Sequence, residues 1–194
     1  MSSFRYKQVL LYRLKLMKLE FSAERKEMIM DILEAIKGRR SIRQYTDEPI
    51  SDDQIRDILE AGRWAATKGN KQPWKFIILK DEKIRSELAG ALPSGKFLSQ
   101  APAGIAIAIR SDNSPDAPLD GAAASQNMLL AAHALGLGAC WISAYDTASE
   151  NEAKRILNIP ADERLLSVLS LGHPAEAPQK GKKELEEITF IDKL

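Results

Sequence analysis

Hydrophobic and polar positions along this chain alternate between two periods, one of about 3.6 residues and one of two or fewer. Asp31 to Lys37 is helical in pattern and Gly38 closes it. Ser51-Asp52-Asp53-Gln54 reads as a capping box, with Ser51 accepting from the third amide and Gln54 reaching back. Ile55, Ile58, Leu59 and Trp64 follow at helical spacing, predicting a helix that ends near Ala66. The Gly, Asn and Pro of Lys68-Gly69-Asn70-Lys71-Gln72-Pro73 predict a loop, and Trp74 to Leu79 a strand. A short helix is expected over 81–92 and a fully buried strand over 104–109, followed by a polar turn over 112–118.

From Asp120 to Leu135 apolar residues cover nearly every face, so this helix must be buried at the centre of a fold or in an interface. Gly136-Leu137-Gly138 ends it and leads into a strand from Ala139 to Ser143. Thr147-Ala148-Ser149-Glu150 predicts a second capping box, its helix running to Asn158 with Pro160 beyond. Leu165 to Leu171 predicts a fourth strand and Glu187 to Ile191 a fifth. Strands separated by helices around one buried helix imply an α/β sandwich of the α+β class. No Gly-x-Gly-x-x-Gly or P-loop follows any strand, which argues against a doubly wound nucleotide fold.

The 194 residues suit one domain with a sizeable core, read here as 28–194, its burial completed if two copies associate. Residues 1–27 read as a basic amphipathic extension, with Leu10, Leu11, Leu14 and Met17 on one side. Arg13, Lys15 and Lys18 interrupt its apolar run, so it is neither a signal core nor a spanning helix. Packing on a partner subunit, or an extension ahead of Met28 or Met30, is favoured over a membrane-surface role.

Lys and Arg total 28 against 27 Asp and Glu, a net charge of +1, so nothing global draws the chain to nucleic acid or a membrane. One cysteine, Cys140, and two histidines, His133 and His173, allow no internal disulfide and no recognisable metal set. Cys140 lies in an apolar run and reads as a buried structural thiol, compatible with a reducing cytoplasm.

The densest chemistry is Arg39-Arg40-Ser41-Ile42-Arg43-Gln44-Tyr45, three guanidinium groups and a hydroxyl within five residues. Guanidinium forks match phosphate oxygens and stay charged at every physiological pH, so the cluster suits a dianionic phosphate; the alternative is a solvated basic loop. Elsewhere plainer roles compete: Asn70 and Gln72 as turn residues, the three tryptophans as core, Asp120 as a helix cap, Lys180 to Lys183 as a solvated tail. No Ser/His/Asp or paired-carboxylate constellation stands out, and no catalytic residue is assigned.

The order of these features resembles the nitroreductase family over roughly residues 28–194. The arginine cluster comes first, then Gly69 to Trp74 before a strand, then Asp120 through Gln126-Asn127-Met128-Leu129-Leu130. Gly136 to Trp141 and Leu171-Gly172-His173-Pro174 complete it. The resemblance implies a homodimer of three-layer α+β subunits, with a mainly antiparallel sheet and two FMN molecules between the chains. It implies hydride transfer from NADH or NADPH through flavin N5 to a small acceptor such as a nitroaromatic or a quinone, in a ping-pong cycle.

Alternatives are reductive dehalogenation on the same fold, or a non-catalytic dimeric flavin or anion binder. The resemblance further implies that Arg39 holds the FMN phosphate, that Arg40 and Ser41 line the phosphate and ribityl region, and that Arg43 lies near the pyrimidine end. Asn70 would meet the ring edge or ribityl chain, with Gln72 beside it and Thr67 approaching the flavin of the other subunit. Ser143 and Ala144 stand where the family often has Glu-Gly, whose amide reaches N5. Lys182 and Lys183 fall near basic residues that complete the phosphate site.

Overall fold

In the computed structural model, which describes residues 31–110, 115–179 and 181–193, the apolar runs become strands almost to the residue. The amphipathic stretch 1–27 lies outside the described residues. The chain divides into two units, residues 1–38 and Arg39–Leu194. In the first, helix α1 (Ile32–Gly38) begins at Asp31, whose Oδ1 accepts from Leu33 N at 2.8 Å.

The second unit contains strands β1 (Trp74–Leu79), β2 (Ala103–Arg110), β3 (Gly138–Ser143) and β4 (Glu163–Gly172) in one sheet of order β1-β2-β4-β3. Every neighbouring pair is antiparallel, with one irregularity between Ile107 and Ala108. Helices α2 (Asp52–Arg63) and α4 (Ala117–Ala134) cover one face, and α3 (Glu82–Ala91) and α5 (Glu150–Ile156) the other. The alternation of β2 decides this: Ile105, Ile107 and Ile109 join Ile58, Met128 and Leu129 on one side, while Ala106 and Ala108 join Leu88, Leu98 and Ala153 on the other. The result is the three-layer, antiparallel α+β sandwich that the sequence resemblance implies.

The Ser51 capping box forms as expected, Gln54 N donating to Ser51 Oγ at 3.2 Å and Ser51 N to Gln54 Oε1 at 3.0 Å. The helix nevertheless ends at Arg63, and Trp64, expected in the core, is 72 % exposed. Its indole N–H donates to Glu60 at 2.8 Å and Arg63 lies 5.0 Å over its ring, so polar neighbours on α2 hold it outside.

Three further expectations change. The second capping box does not form: Thr147 Oγ1 donates to Ala144 O at 2.6 Å, and the Glu150 carboxylate takes the Arg164 guanidinium and the Leu165 amide instead. A charged fork outbids a single neutral amide for a buried carboxylate. Asp120 lies in the first turn of α4, not at its cap, and accepts from Lys68 N at 3.2 Å. The segment Glu187 to Ile191 is not a strand; a single 3-10 turn (Leu185–Glu187) precedes it, and Thr189 Oγ1 donates back to Leu185 O at 2.7 Å. Its alternation marks a face without supplying a partner, and Ile188, Phe190 and Ile191 stay exposed.

Candidate functional site

The arginine loop is sewn to the sheet along its backbone. Ile42 N donates to Ala139 O at 3.0 Å, making a parallel bridge between Ser41 and the outer edge of β3. Beyond it, Ala175 N donates to Gln44 O at 2.9 Å and Thr46 N to His173 O at 3.0 Å, while the Glu176 carboxylate accepts from the amides of Arg43 and Gln44. Tyr45 completes the seam, its hydroxyl donating to Ile42 O and lying 2.7 Å from Ser170 Oγ. Burial pushes its phenol well above the ordinary tyrosine range, so it stays neutral and donates.

With the backbone committed, the side chains are left to act. Arg43 lies 5.7 Å from the centre of the Phe97 ring, and Arg40 Nη1 donates to Arg39 O at 3.0 Å. Among the described residues no carboxylate pairs with Arg39 or Arg43. His133, in the last turn of α4, is held below the ordinary histidine range by burial and then by the charges of Arg39 and Arg40. Cys140 is buried, and burial raises its thiol despite the opposing charge of Arg43 and the hydroxyl of Ser41, so it is an inert neighbour. The Arg39 and Arg43 guanidiniums, without a carboxylate partner among the described residues and on a loop fixed by its own main chain, fit a phosphate dianion.

A second cluster lies at the other end of α4. Asn70 and Gln72 adopt left-handed φ of 56° and 48°, an uncommon conformation for non-glycine residues, beside Gly69 at 61°. Gln72 Nε2 donates to Asn70 Oδ1 at 3.0 Å, and Gln72 N to Thr67 Oγ1 at 3.4 Å. Lys68 straps the turn to the start of α4 through Asp120 and through Asp116, 2.8 Å from its Nζ. From Asp120 to His133 along an α-helix is roughly 20 Å, so within one chain Thr67, Asn70 and Gln72 stand apart from Arg39, Arg40, Ser41 and Arg43.

The third group closes β3. Ser143 is exposed, whereas Ala144 is fully buried and its N–H donates to Leu166 O at 3.2 Å. This corner is rigid: Nε and Nη2 of Arg164 each donate to the Glu150 carboxylate at 2.6 Å, and Arg164 lies 4.4 Å over the Tyr145 ring. Burial would raise the Glu150 carboxyl, but Arg164 and the amides of Asp146 and Leu165 outweigh it and leave it below the usual range. Lys182 and Lys183 are exposed on the C-terminal segment.

Glu176, Phe97 and the Glu150–Arg164 pair escaped the sequence reading, because each acts on the site from an element distant along the chain. Gly138 and Gly172 lie in the segments Gly136 to Trp141 and Leu171 to Pro174, and their role emerges only from what packs on them. Among the described residues no helix is long and apolar enough to cross a membrane, and no three His, Cys, Asp or Glu gather as metal ligands.

A model of the nitroreductase family matches residues 36–95 and 90–173. A Methanothermobacter thermautotrophicus protein provisionally named an NADH dehydrogenase/NAD(P)H nitroreductase is 38% identical over 155 residues, 77% of this chain and 80% of that protein. An FMN reductase [NAD(P)H] of Bacillus subtilis is 32% identical over 174 residues, spanning 77% and 68% of the two chains. The crystal structure of a provisionally named nitroreductase from Desulfovibrio desulfuricans in complex with FMN superposes with a TM-score of 0.74 at 34% identity, covering 85% of this chain and 98% of that one.

Proposed function

The chain belongs to the nitroreductase family, and we propose that it works as a homodimeric, FMN-dependent NAD(P)H oxidoreductase that reduces a small acceptor such as a nitroaromatic or a quinone in a ping-pong cycle. The observation that carries this reading is the arginine loop, whose Arg39 and Arg43 guanidiniums have no carboxylate partner among the described residues while its backbone is bonded to β3 and to the chain after β4; the Thr67–Gln72 turn stands at the opposite end of α4. A second copy, related by a two-fold axis, brings the arginine loop of one subunit to the Thr67–Gln72 turn of the other. The incompletely covered surface of α4, which includes Leu119 at 68 % exposed, supplies apolar area for that contact.

When bound, FMN supplies a ring that takes hydride from a nicotinamide and passes reducing equivalents on. The chain binds and tunes. Arg39 grips the phosphate, Arg40 and Ser41 line the phosphate and ribityl region, and Lys182 or Lys183 adds a further positive charge. Arg43 places a permanent cation at the pyrimidine end, favouring the reduced ring's negative charge. From the partner, Thr67, Asn70 and Gln72 present donors at the ring edge. Ser143 faces the ring from the end of β3 with Ala144 behind it as a buried support.

Arg39→Ala tests the assignment: FMN retention falls sharply while the midpoint of urea unfolding of the apoprotein hardly moves. Equal flavin occupancy in that variant overturns it. Loaded protein that is dimeric in solution, and whose flavin absorbance bleaches under anaerobic NADH or NADPH, supports the enzyme over a passive flavin binder.

A further inference from the structure

Arg85 sits on α3 with 7 % of its surface exposed. Arginine ordinarily keeps its charged head in water, and a buried guanidinium calls for a counter-charge. Here Nη1 donates to the carbonyls of Lys80 at 2.7 Å and Leu79 at 3.5 Å, which steadies the turn between β1 and α3. Nε has no hydrogen-bond partner, and among the described residues no carboxylate pairs with the group. The charge is therefore met by main-chain dipoles at Nη1 and left without a partner at Nε.

Arg85 also stands in the wall of a cleft of about 430 Å³, of a size that suits small-molecule sites. Its lining also includes Asp47, Glu82, Ser99 and Gln100. Asp47 and Glu82 are exposed and form no ion pair among the described residues. The lining thus offers a buried cation, two exposed carboxylates at its rim that form no ion pair among the described residues, a hydroxyl and an amide. A phosphate drawn to Arg85 meets repulsion from the rim, and a simple cation meets the reverse. A molecule carrying both charges satisfies both.

We propose that this cleft binds a small zwitterion of amino-acid type, its carboxylate against the Arg85 guanidinium and its ammonium group against Asp47 and Glu82. Ser99 and Gln100 supply hydrogen bonds along its length. The cleft borders the arginine loop at Tyr45 but contains none of the side chains assigned to the flavin, so it stands whether or not the flavin reading does.

Glycine, β-alanine, γ-aminobutyrate, propionate and inorganic phosphate, titrated separately into the full-length protein and followed by the NMR signal of the Arg85 Nε–H, test this. At least one of the three amino acids should bind saturably and about tenfold more tightly than propionate. Asp47→Asn with Glu82→Gln should abolish that preference, bringing propionate level with the amino acid. Arg85→Gln should remove binding of all probes; because Arg85 also steadies a turn, the rim variants, on exposed side chains, keep the test independent of folding. Phosphate binding tighter than any amino acid, a preference unchanged by the rim variants, or no saturable shift of the Arg85 signal with any probe overturns the proposal.

Discussion

The side chain of Ile42 fills the space that a side chain at Gly138 would need: a Cβ there would stand 2.7 Å from Ile42 Cγ2 and 2.8 Å from Ile42 Cβ. Gly172 has the same relation to Tyr45, whose ring would lie 2.6 Å away. These two glycines, in Gly136 to Trp141 and in Leu171 to Pro174, thus mark the places where the arginine loop presses on the sheet. Gly138→Ala should push Ile42 off β3, lowering stability by about 1–3 kcal/mol in urea denaturation and reducing FMN retention with it. Gly181→Ala, where nothing lies within 4 Å, is the silent control.

Tyr45→Phe removes one hydroxyl that serves Ile42 O and Ser170 Oγ. Ser170 is fully buried, so the loss should cost about 1–2 kcal/mol by urea denaturation. Because the phenol stays protonated in the folded chain, the difference between wild type and variant should be constant from mildly acidic to mildly alkaline pH.

His133 offers a probe of the phosphate assignment. The charges of Arg39 and Arg40, after burial, depress its titration. A dianion seated on those arginines cancels part of their field, so the His133 midpoint followed by NMR should move upward when FMN is added. An unchanged midpoint at full flavin occupancy would place the phosphate elsewhere.

Acid should weaken the protein through Glu150. Its carboxyl is lower in the folded chain than in the unfolded one, so its contribution is present in full above the unfolded range and disappears as pH falls through the folded value. Glu150→Gln should lower stability at neutral pH by about 2–4 kcal/mol, since it removes the buried bidentate partner of Arg164 and leaves only the exposed Asp146 carboxylate 3.7 Å away. The same variant should flatten the loss of stability below the ordinary carboxylate range in an acid denaturation series.

Gly90 is exposed within α3, with nothing within 4 Å of an added Cβ. Gly90→Ala should stabilise the protein by about 0.5–1 kcal/mol, read as a raised urea midpoint.

The strands and the buried central helix were legible because burial on both faces writes uninterrupted apolar runs, as in Gly104 to Ile109, and local chemistry writes caps, as in Ser51 to Gln54. Where a local pattern competed with a distant partner, the partner won. Glu150 abandoned its capping box for Arg164, 14 residues on, and Glu176 serves amides 133 and 132 residues before it. The alternation of Glu187 to Ile191 indicated a sided segment but not what it would lie against, and Trp64 kept helical spacing one residue beyond the helix that would have buried it. The arginine cluster could be found from composition alone; its exposure of guanidiniums with the backbone tied down could not, since that depends on β3 and on the chain after β4.

That tied-down backbone has a kinetic consequence. The loop needs no rearrangement to receive an anion, because its shape is set once β3 and β4 pair, so the entropy of ordering it is charged to folding and not to capture. Association with a phosphorylated ligand should therefore be limited by diffusion and charge steering, while changes that loosen the seam speed the ligand's escape far more than they slow its arrival.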